Sequence, residues 1–429
     1  MKSWKISYLF LLFLSGCLVL LSACDTSTIS SSSTPIPNRQ TPIATNTSFP
    51  STQTNCPAPG TARPAVMSSM VPGSHQNIVY VSEHGGTQTL PSQALLMRYD
   101  MTTGSKTTIL SFANTGTGII STQSSPDGQW TLFIATTFSE GHYTAKLQLI
   151  RADGQMLQTL FCDPSGTIGK LQWSPDLQQV AFTGPPFDKL KRTIHLLNLA
   201  TAQQEQVVFG TYFPYAWLDN TRLYVAQQQD SDPFTSLFNL YLLDTSKGAN
   251  QQPDSPTYVA STPVLCGSFE KSSDGAQLLG SSCMPVRPAG CRGPATQGPS
   301  TLNVRPATGG SARTIYSSQT QAIMTFHIVN AQALLLYIEN TQGDLSQNGL
   351  WKINIDGSGL TRLTTAGGQL CADQGYTATW PQIISNGQSY ALRANGSLMA
   401  GSLNGGSPTT FETLSISKGT LNLVGMVMI

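Results

Sequence analysis

The chain has 429 residues, enough for two or three domains of ~150 residues or for one long all-β domain. Lys and Arg number 23 against 22 for Asp and Glu, and only 10% of residues are charged, so no basic stripe exists to neutralise nucleic-acid phosphates. The 38 Gly and 26 Pro, with abundant Ser, Thr, Gln and Asn, argue against long charged helices and for strands joined by many turns.

Lys2 and Lys5 precede an apolar run from Ile6 to Leu20, followed by Leu21-Ser22-Ala23-Cys24. A charged start, a short apolar stretch and small residues before a cleavage point are the pattern of a signal peptide, and the run is short for a membrane span. Leu-Ser-Ala-Cys resembles the lipobox of bacterial lipoproteins. The resemblance implies a signal peptide over 1–23, cleavage before Cys24 and acylation of that cysteine; an ordinary secretory signal with a chance Cys is the alternative. Several acyl chains anchor a protein stably where one binds marginally. The expected location is therefore extracytoplasmic, on the bacterial cell membrane through the N-terminal lipid.

From Asp25 to Arg63 the chain is dominated by Ser, Thr, Pro, Asn and Gln, and only Asp25, Arg39 and Arg63 are charged. Such a segment buries too little apolar area to offset its chain entropy. Residues 24–63 read as a lipidated Cys plus a disordered tether, reaching roughly 35 Å as a flexible coil.

Residues 64–429 repeat. Ser124-Ser125-Pro126-Asp127-Gly128 and Trp173-Ser174-Pro175-Asp176 are the sharpest copies of a turn between two apolar runs. Asp219-Asn220, Asp274-Gly275, Asn330 and Asn386-Gly387 are weaker ones, with Pro72-Gly73 as the first. Pro presets such a turn, Asp or Asn bonds back to the backbone, and Gly accepts positive φ. A second turn falls about halfway through each unit, from Asp100-Met101 to Asn404-Gly405. Two hairpins per unit make four strands, and turn centres at 127, 176, 219, 274, 330 and 386 approach the ~40–50 residue period of propeller blades. The expectation is an all-β chain whose residues 64–429 form a β-propeller of seven four-stranded blades; six or eight also fit the spacing. The Ser-Pro-Asp-Gly turns and the run Leu350 to Thr364 resemble the repeats of TolB-type and WD40-like propellers, to which those of prolyl oligopeptidases are related.

Of eight cysteines, Cys17 and Cys24 belong to the N-terminal segment. The other six suggest disulfides in an oxidising compartment. Cys283 with Cys291, inside a Pro/Gly-rich stretch, is the first candidate pair, and Cys266 with Cys283 its rival. Cys162 and Cys371 read as buried free thiols. No Cys-x-x-Cys, His-Glu-x-x-His or Asp-x-Asp-x-Asp-Gly spacing occurs, so no metal and no cofactor is expected. No Gly-x-Ser-x-Gly and no room for a hydrolase domain remain after the last hairpin, so no catalytic residue is assigned.

In a propeller whose strands run a to d from the axis outward, a–b and c–d turns lie on one face and b–c and d–a connections on the other. The first set is tight here. The second is expected to be long, at 136–144, 184–192, 227–236, 281–300 and 250–262 among others. Loops on a rigid scaffold concentrate binding residues. Tyr143, Phe187, Lys189, Arg192, Tyr212, Tyr215, Phe234, Arg287, Arg292 and Tyr376 are the candidates on that face. The functional expectation is a monomeric binding or scaffold lipoprotein recognising a protein or a cell-envelope polymer. The alternative is a propeller enzyme of lyase, lactonase or quinone-dependent dehydrogenase type, with its site in the axial channel.

Overall fold

Seven antiparallel four-stranded sheets arranged in a ring make up the computed structural model. It describes residues 53–85, 91–188, 191–229, 237–246, 256–263, 267–286, 295–340, 344–365, 381–415 and 418–429. Blade 1 contains β1 (Gln76–His84), β2 (Gln93–Asp100) and β3 (Lys106–Ala113), and its innermost strand is the last of the chain, β28 (Gly419–Met428). Blade 2 is β4 (Thr117–Ser124), β5 (Trp130–Ser139), β6 (His142–Arg151) and β7 (Gln158–Asp163). Blade 3 is β8 (Gly169–Trp173), β9 (Gln179–Asp188), β10 (Lys191–Asn198) and β11 (Gln204–Gly210). Blade 4 is β12 (Tyr212–Trp217), β13 (Arg222–Gln228), β14 (Leu237–Asp244) and β15 (Thr257–Pro263). Blade 5 is β16 (Ser268–Lys271), β17 (Gln277–Val286), β18 (Ala295–Pro306) and β19 (Arg313–Ser318). Blade 6 is β20 (Ile323–Ile328), β21 (Ala333–Ile338), β22 (Gly349–Asn354) and β23 (Thr361–Thr365). Blade 7 is β24 (Gln382–Ser385), β25 (Ser389–Ala394), β26 (Ser397–Ser402) and β27 (Thr409–Thr413). The chain is a seven-bladed β-propeller. The six- and eight-bladed countings fall away because the strands form seven four-stranded sheets and β28 completes blade 1 instead of opening an eighth.

The core is divided among the seams between blades. Trp130, Leu132 and Leu147 of blade 2 meet Trp173, Val180 and Phe182 of blade 3, and each of the other six seams holds a comparable cluster. Each large side chain so buried contributes about 1.5–3 kcal/mol. Every outer strand carries one extra residue opposite the third strand: Ile109, Leu160, Val207, Val259, Ile315, Leu363 and Phe411. Such a bulge bends the strand and raises its twist. Here it turns an apolar side chain back toward a seam.

The tight a–b turns are held by side chains. Ser174 Oγ donates to Asp176 Oδ1 at 2.6 Å and accepts from the Gln179 N–H at 2.9 Å, while the Gln178 N–H donates to Asp176 at 3.1 Å. Ser125 with Asp127 and Ser272 with Asp274 repeat this arrangement. In blade 2 the chain approaches the closing strand so nearly that a Cβ on Gly128, at φ 73°, would lie 2.7 Å from the Met426 carbonyl oxygen. Glycine is required there for both reasons.

Residues 53–75 run as one strap against the body, although the expected tether extends to Arg63. Gln53 bridges Gln158 of β7, the Arg63 N–H donates to Leu160 O at 2.8 Å, and the Ala65 N–H donates to Leu199 O at 2.7 Å. A disulfide joins Cys56 to Cys162 of β7. Cys162 is therefore not a free thiol: the strap lays Cys56 beside it, a contact between distant segments that spacing does not announce. Cys283, in β17, is buried and disulfide-bonded, with its partner outside the described residues, as are Cys291, Cys266 and Cys24.

Candidate functional site

The innermost strand of each blade has one edge without a partner strand, and its backbone groups need satisfying near the axis. Side chains from the preceding blade do this at five seams. Glu83 Oε1 accepts from the Ile119 N–H at 2.7 Å, Gln123 Oε1 from Trp173 N–H at 2.6 Å and Tyr215 Oη from Phe269 N–H at 2.8 Å. Glu270 Oε2 accepts from Ile328 N–H at 3.2 Å, and Gln382 Oε1 from Leu423 N–H at 2.8 Å. The polar groups of the inner ring thus join blade to blade.

Five innermost strands also contain a residue skipped by the ladder: Ile120, Lys170, Tyr215, Met324 and Val424. A bulge re-aims its side chain. Ile120 is 56% exposed although it lies in the first strand of a blade.

One acid–imidazole pair spans blades 5 and 6. Glu270 Oε1 lies 3.1 Å from His327 Nδ1, with both side chains about one quarter exposed. The carboxylate can hold a proton on Nδ1 and orient the ring, the arrangement a general base requires. Among the described residues no group of three or more His, Cys, Asp or Glu is placed to hold a metal ion.

Glu83 is a second carboxylate close to the ring closure. It accepts from Thr420 Oγ1 at 3.0 Å as well as from Ile119, and burial pushes its carboxyl above the usual range against those hydrogen bonds. Nearby, Arg393 donates through Nη1 to Leu421 O at 2.7 Å and to Asn422 Oδ1, and burial lowers its guanidinium to about 10. These groups knit blades 7, 1 and 2 together.

The opposite ends of the strands differ from expectation. Within 136–144, 184–192 and 281–300 the described residues are paired strand where loops were expected: pairing runs out to Ser139↔His142, Asp188↔Lys191 and Val286↔Ala295. In blade 2 the reason is visible. Thr136, Thr137, Phe138, Tyr143 and Thr144 favour strand, and Glu140 and Gly141, at φ 53° and 83°, form the two-residue turn with both centres at positive φ that suits hairpin twist. The segment 250–262 likewise includes β15, because Val259 and Ala260 pack in the blade 4–5 seam.

Tyr143 stands at the tip of the blade 2 hairpin, 39% exposed, its ring 4.8 Å from that of Phe138. Tyr212 is half-buried and meets Tyr241 edge-on at 5.5 Å. Tyr215 is not a loop residue: it sits in β12, its hydroxyl bound to both backbone groups of Phe269, and burial pushes it up to about 12. Phe187 and Arg192 fall in β9 and β10 with side chains outside the described residues; Lys189, Phe234, Arg287, Arg292 and Tyr376 lie outside them altogether. Sequence motifs did not reveal Glu270 and His327. Their common signal is position, since each stands second from the end of an innermost strand.

No protein-family model and no curated protein matches the sequence. Solved structures match at the level of fold. One of two prolyl endopeptidases is 12% identical with a TM-score of 0.50, covering 81% of this chain and 50% of its own. The periplasmic gluconolactonase of Pseudomonas aeruginosa is 11% identical at 0.49, covering 81% and 99%. The β-propeller domain of the Trilobed protease from Pyrococcus furiosus is 12% identical at 0.43, covering 68% and 82%. The chain spans about half the length of the prolyl endopeptidase it resembles.

Proposed function

We propose that this protein is a membrane-anchored extracytoplasmic binding propeller, held by lipid on Cys24, that recognises a protein or cell-envelope polymer through its b–c face. The observation that carries the binding reading is the inner ring. Its carboxylates and amides bond blade to blade, which makes the ring a rigid frame and leaves contact to the projecting hairpins. Tyr143 is the described anchor on that face, and single aromatic anchors in such positions can contribute 2 kcal/mol or more to an interface. The Cys56–Cys162 disulfide supports an oxidising location. The TolB-type resemblance of the Ser-Pro-Asp-Gly turns fits the same reading.

Capture from the native membrane tests it. The intact protein should retain a partner that Tyr143→Ala weakens without loss of folding, while Cys24→Ala should move the folded protein out of the membrane fraction. Retention of acylation and membrane fractionation by Cys24→Ala would overturn the anchoring.

The Glu270–His327 pair favours a second reading, an enzyme acting at the axis on a lactone or an acidic sugar polymer. Turnover of either that disappears in both Glu270→Gln and His327→Asn, with the fold intact, would replace the binding reading.

A further inference from the structure

The strap and the ring closure meet at one place. The His75 N–H donates to Ile429 O at 3.1 Å and the Ile429 N–H to His75 O at 3.0 Å. Immediately beyond, β1 pairs with β28 from Gln76↔Met428 onward. The strap therefore feeds directly into the strand that closes the ring. The start of β1 also lies beside the end of β28. Tension between the N-terminal chain and the C-terminal end would strip this antiparallel ladder one pair at a time, the weakest way to load it, because hydrogen bonds perpendicular to the strands break in turn.

We infer that the Cys56–Cys162 disulfide is a mechanical bypass that keeps tension on the N-terminal chain away from the closure. Its purpose rests on the anchoring reading above; its geometry does not. The covalent loop from 56 to 162 contains all of β1 to β6. A pull arriving at Cys56 crosses the sulfur bridge into β7 and enters the body through blade 2 without passing along β1. The strap between the bridge and the closure is further fixed to the body. The Val66 N–H donates to Gln158 Oε1 at 2.8 Å, and Gln158 Nε2 returns a bond to Val66 O at 2.8 Å. The Met70 N–H donates to Gln129 Oε1 at 2.7 Å, and Arg151 Nη1 to Ser68 Oγ at 3.1 Å. Those bonds hold position, whereas the disulfide carries force.

Optical-tweezers extension of the full-length chain, gripped by protein handles fused to its two ends, tests the inference. The oxidised protein is compared with the same protein reduced after folding and with the Cys56→Ser, Cys162→Ser double variant, which separates this bridge from the one at Cys283. Without the bridge, an early low-force step should release the strap, residues 53–75, roughly 80 Å at ~3.3–3.6 Å per residue, before the main rupture, because β1 beyond it is also held by β2. The oxidised protein should lack that step. The same early step in the oxidised protein, or its absence from both bridge-free forms, overturns the inference. The handles replace the lipid, so a failure of acylation at Cys24 would strike the anchoring reading and leave this measurement intact.

Discussion

The two faces of the ring shape their turns by different means. On the tight-turn face, blades 2, 3 and 5 use a Ser hydroxyl bound to an Asp two residues on, and blades 4, 6 and 7 use Asp219, Asn330 and Asn386 to gather backbone N–H groups. On the opposite face, blades 2 and 7 turn on backbone conformation, through Glu140-Gly141 and Asn395-Gly396 at positive φ. The tight turns are fixed by polar side chains, whereas the b–c turns of blades 2 and 7 end strands that keep pairing up to them. The first should respond to loss of a hydrogen bond, and the second should tolerate change at its tips.

The largest break should come from removing residues 419–429. Leu421, Leu423 and Val427 would leave their seams, and burial worth about 1.5–3 kcal/mol each is a large part of a net stability of 5–15 kcal/mol. Size-exclusion chromatography should find aggregate, and a soluble monomer with an unchanged denaturation midpoint would show that closure is made elsewhere. Next comes the paired Cys56→Ser, Cys162→Ser change. Cross-linking across 106 residues is worth about 4–5 kcal/mol in the chain-entropy account, to be read from guanidinium midpoints. Asp176→Ala should then cost about 1–2 kcal/mol through its lost turn bonds, whereas Tyr143→Ala should stay within about 0.5 kcal/mol. Equal costs for these two would erase the distinction between the faces.

The smallest effects concern pH. Burial raises the Glu83 carboxyl, so the folded chain holds that proton more tightly than the unfolded chain does. Its contribution is complete below the unfolded value near 4.3 and is lost as pH rises through the folded value. Glu83→Gln, which keeps an acceptor for Ile119, should therefore be at least as stable as the parent at pH 7, while Glu83→Ala should be less stable. Asp163 runs the other way. Burial opposes ionisation, but hydrogen bonds from Ser165 and Thr167 outweigh it and lower the pKa, so its contribution holds above pH ~4 and fades as pH falls through the folded value. Acid titration of Asp163→Asn should remove that fading. An unchanged acid limb would deny Asp163 this role.

Turn chemistry made the blades legible, because Ser-Pro-Asp-Gly names both the residues and the bonds they make. Strand ends were less so: in Thr136 to Thr144 the polar Ser139-Glu140-Gly141-His142 interrupts the strand-favouring residues on either side and hides the pairing between them. Tyr215 was misplaced for a related reason, since the bulge at that residue breaks the alternation by which a strand is recognised. A usable signal was nevertheless present. The third-strand residues Leu96, Leu147, Ile194, Leu302, Leu350 and Leu398 each precede the bulged apolar residue of the outer strand by 13 positions, while in blade 4 the interval from Leu240 to Val259 is 19. The Cys56–Cys162 pairing had no local mark, because it depends on where the strap crosses β7.

Pairing the first strand with the last also orders events in time. When β1 emerges from the ribosome its partner is about 340 residues away, on the order of tens of seconds at ordinary synthesis rates. Through that interval blade 1 lacks its inner strand, and the ring stays an open arc with an unpaired edge. Cys162, in contrast, follows Cys56 early. The strap can be fastened to blade 2 long before the circle exists, so that β1 is already moored beside the gap when Gly419–Met428 arrives to fill it.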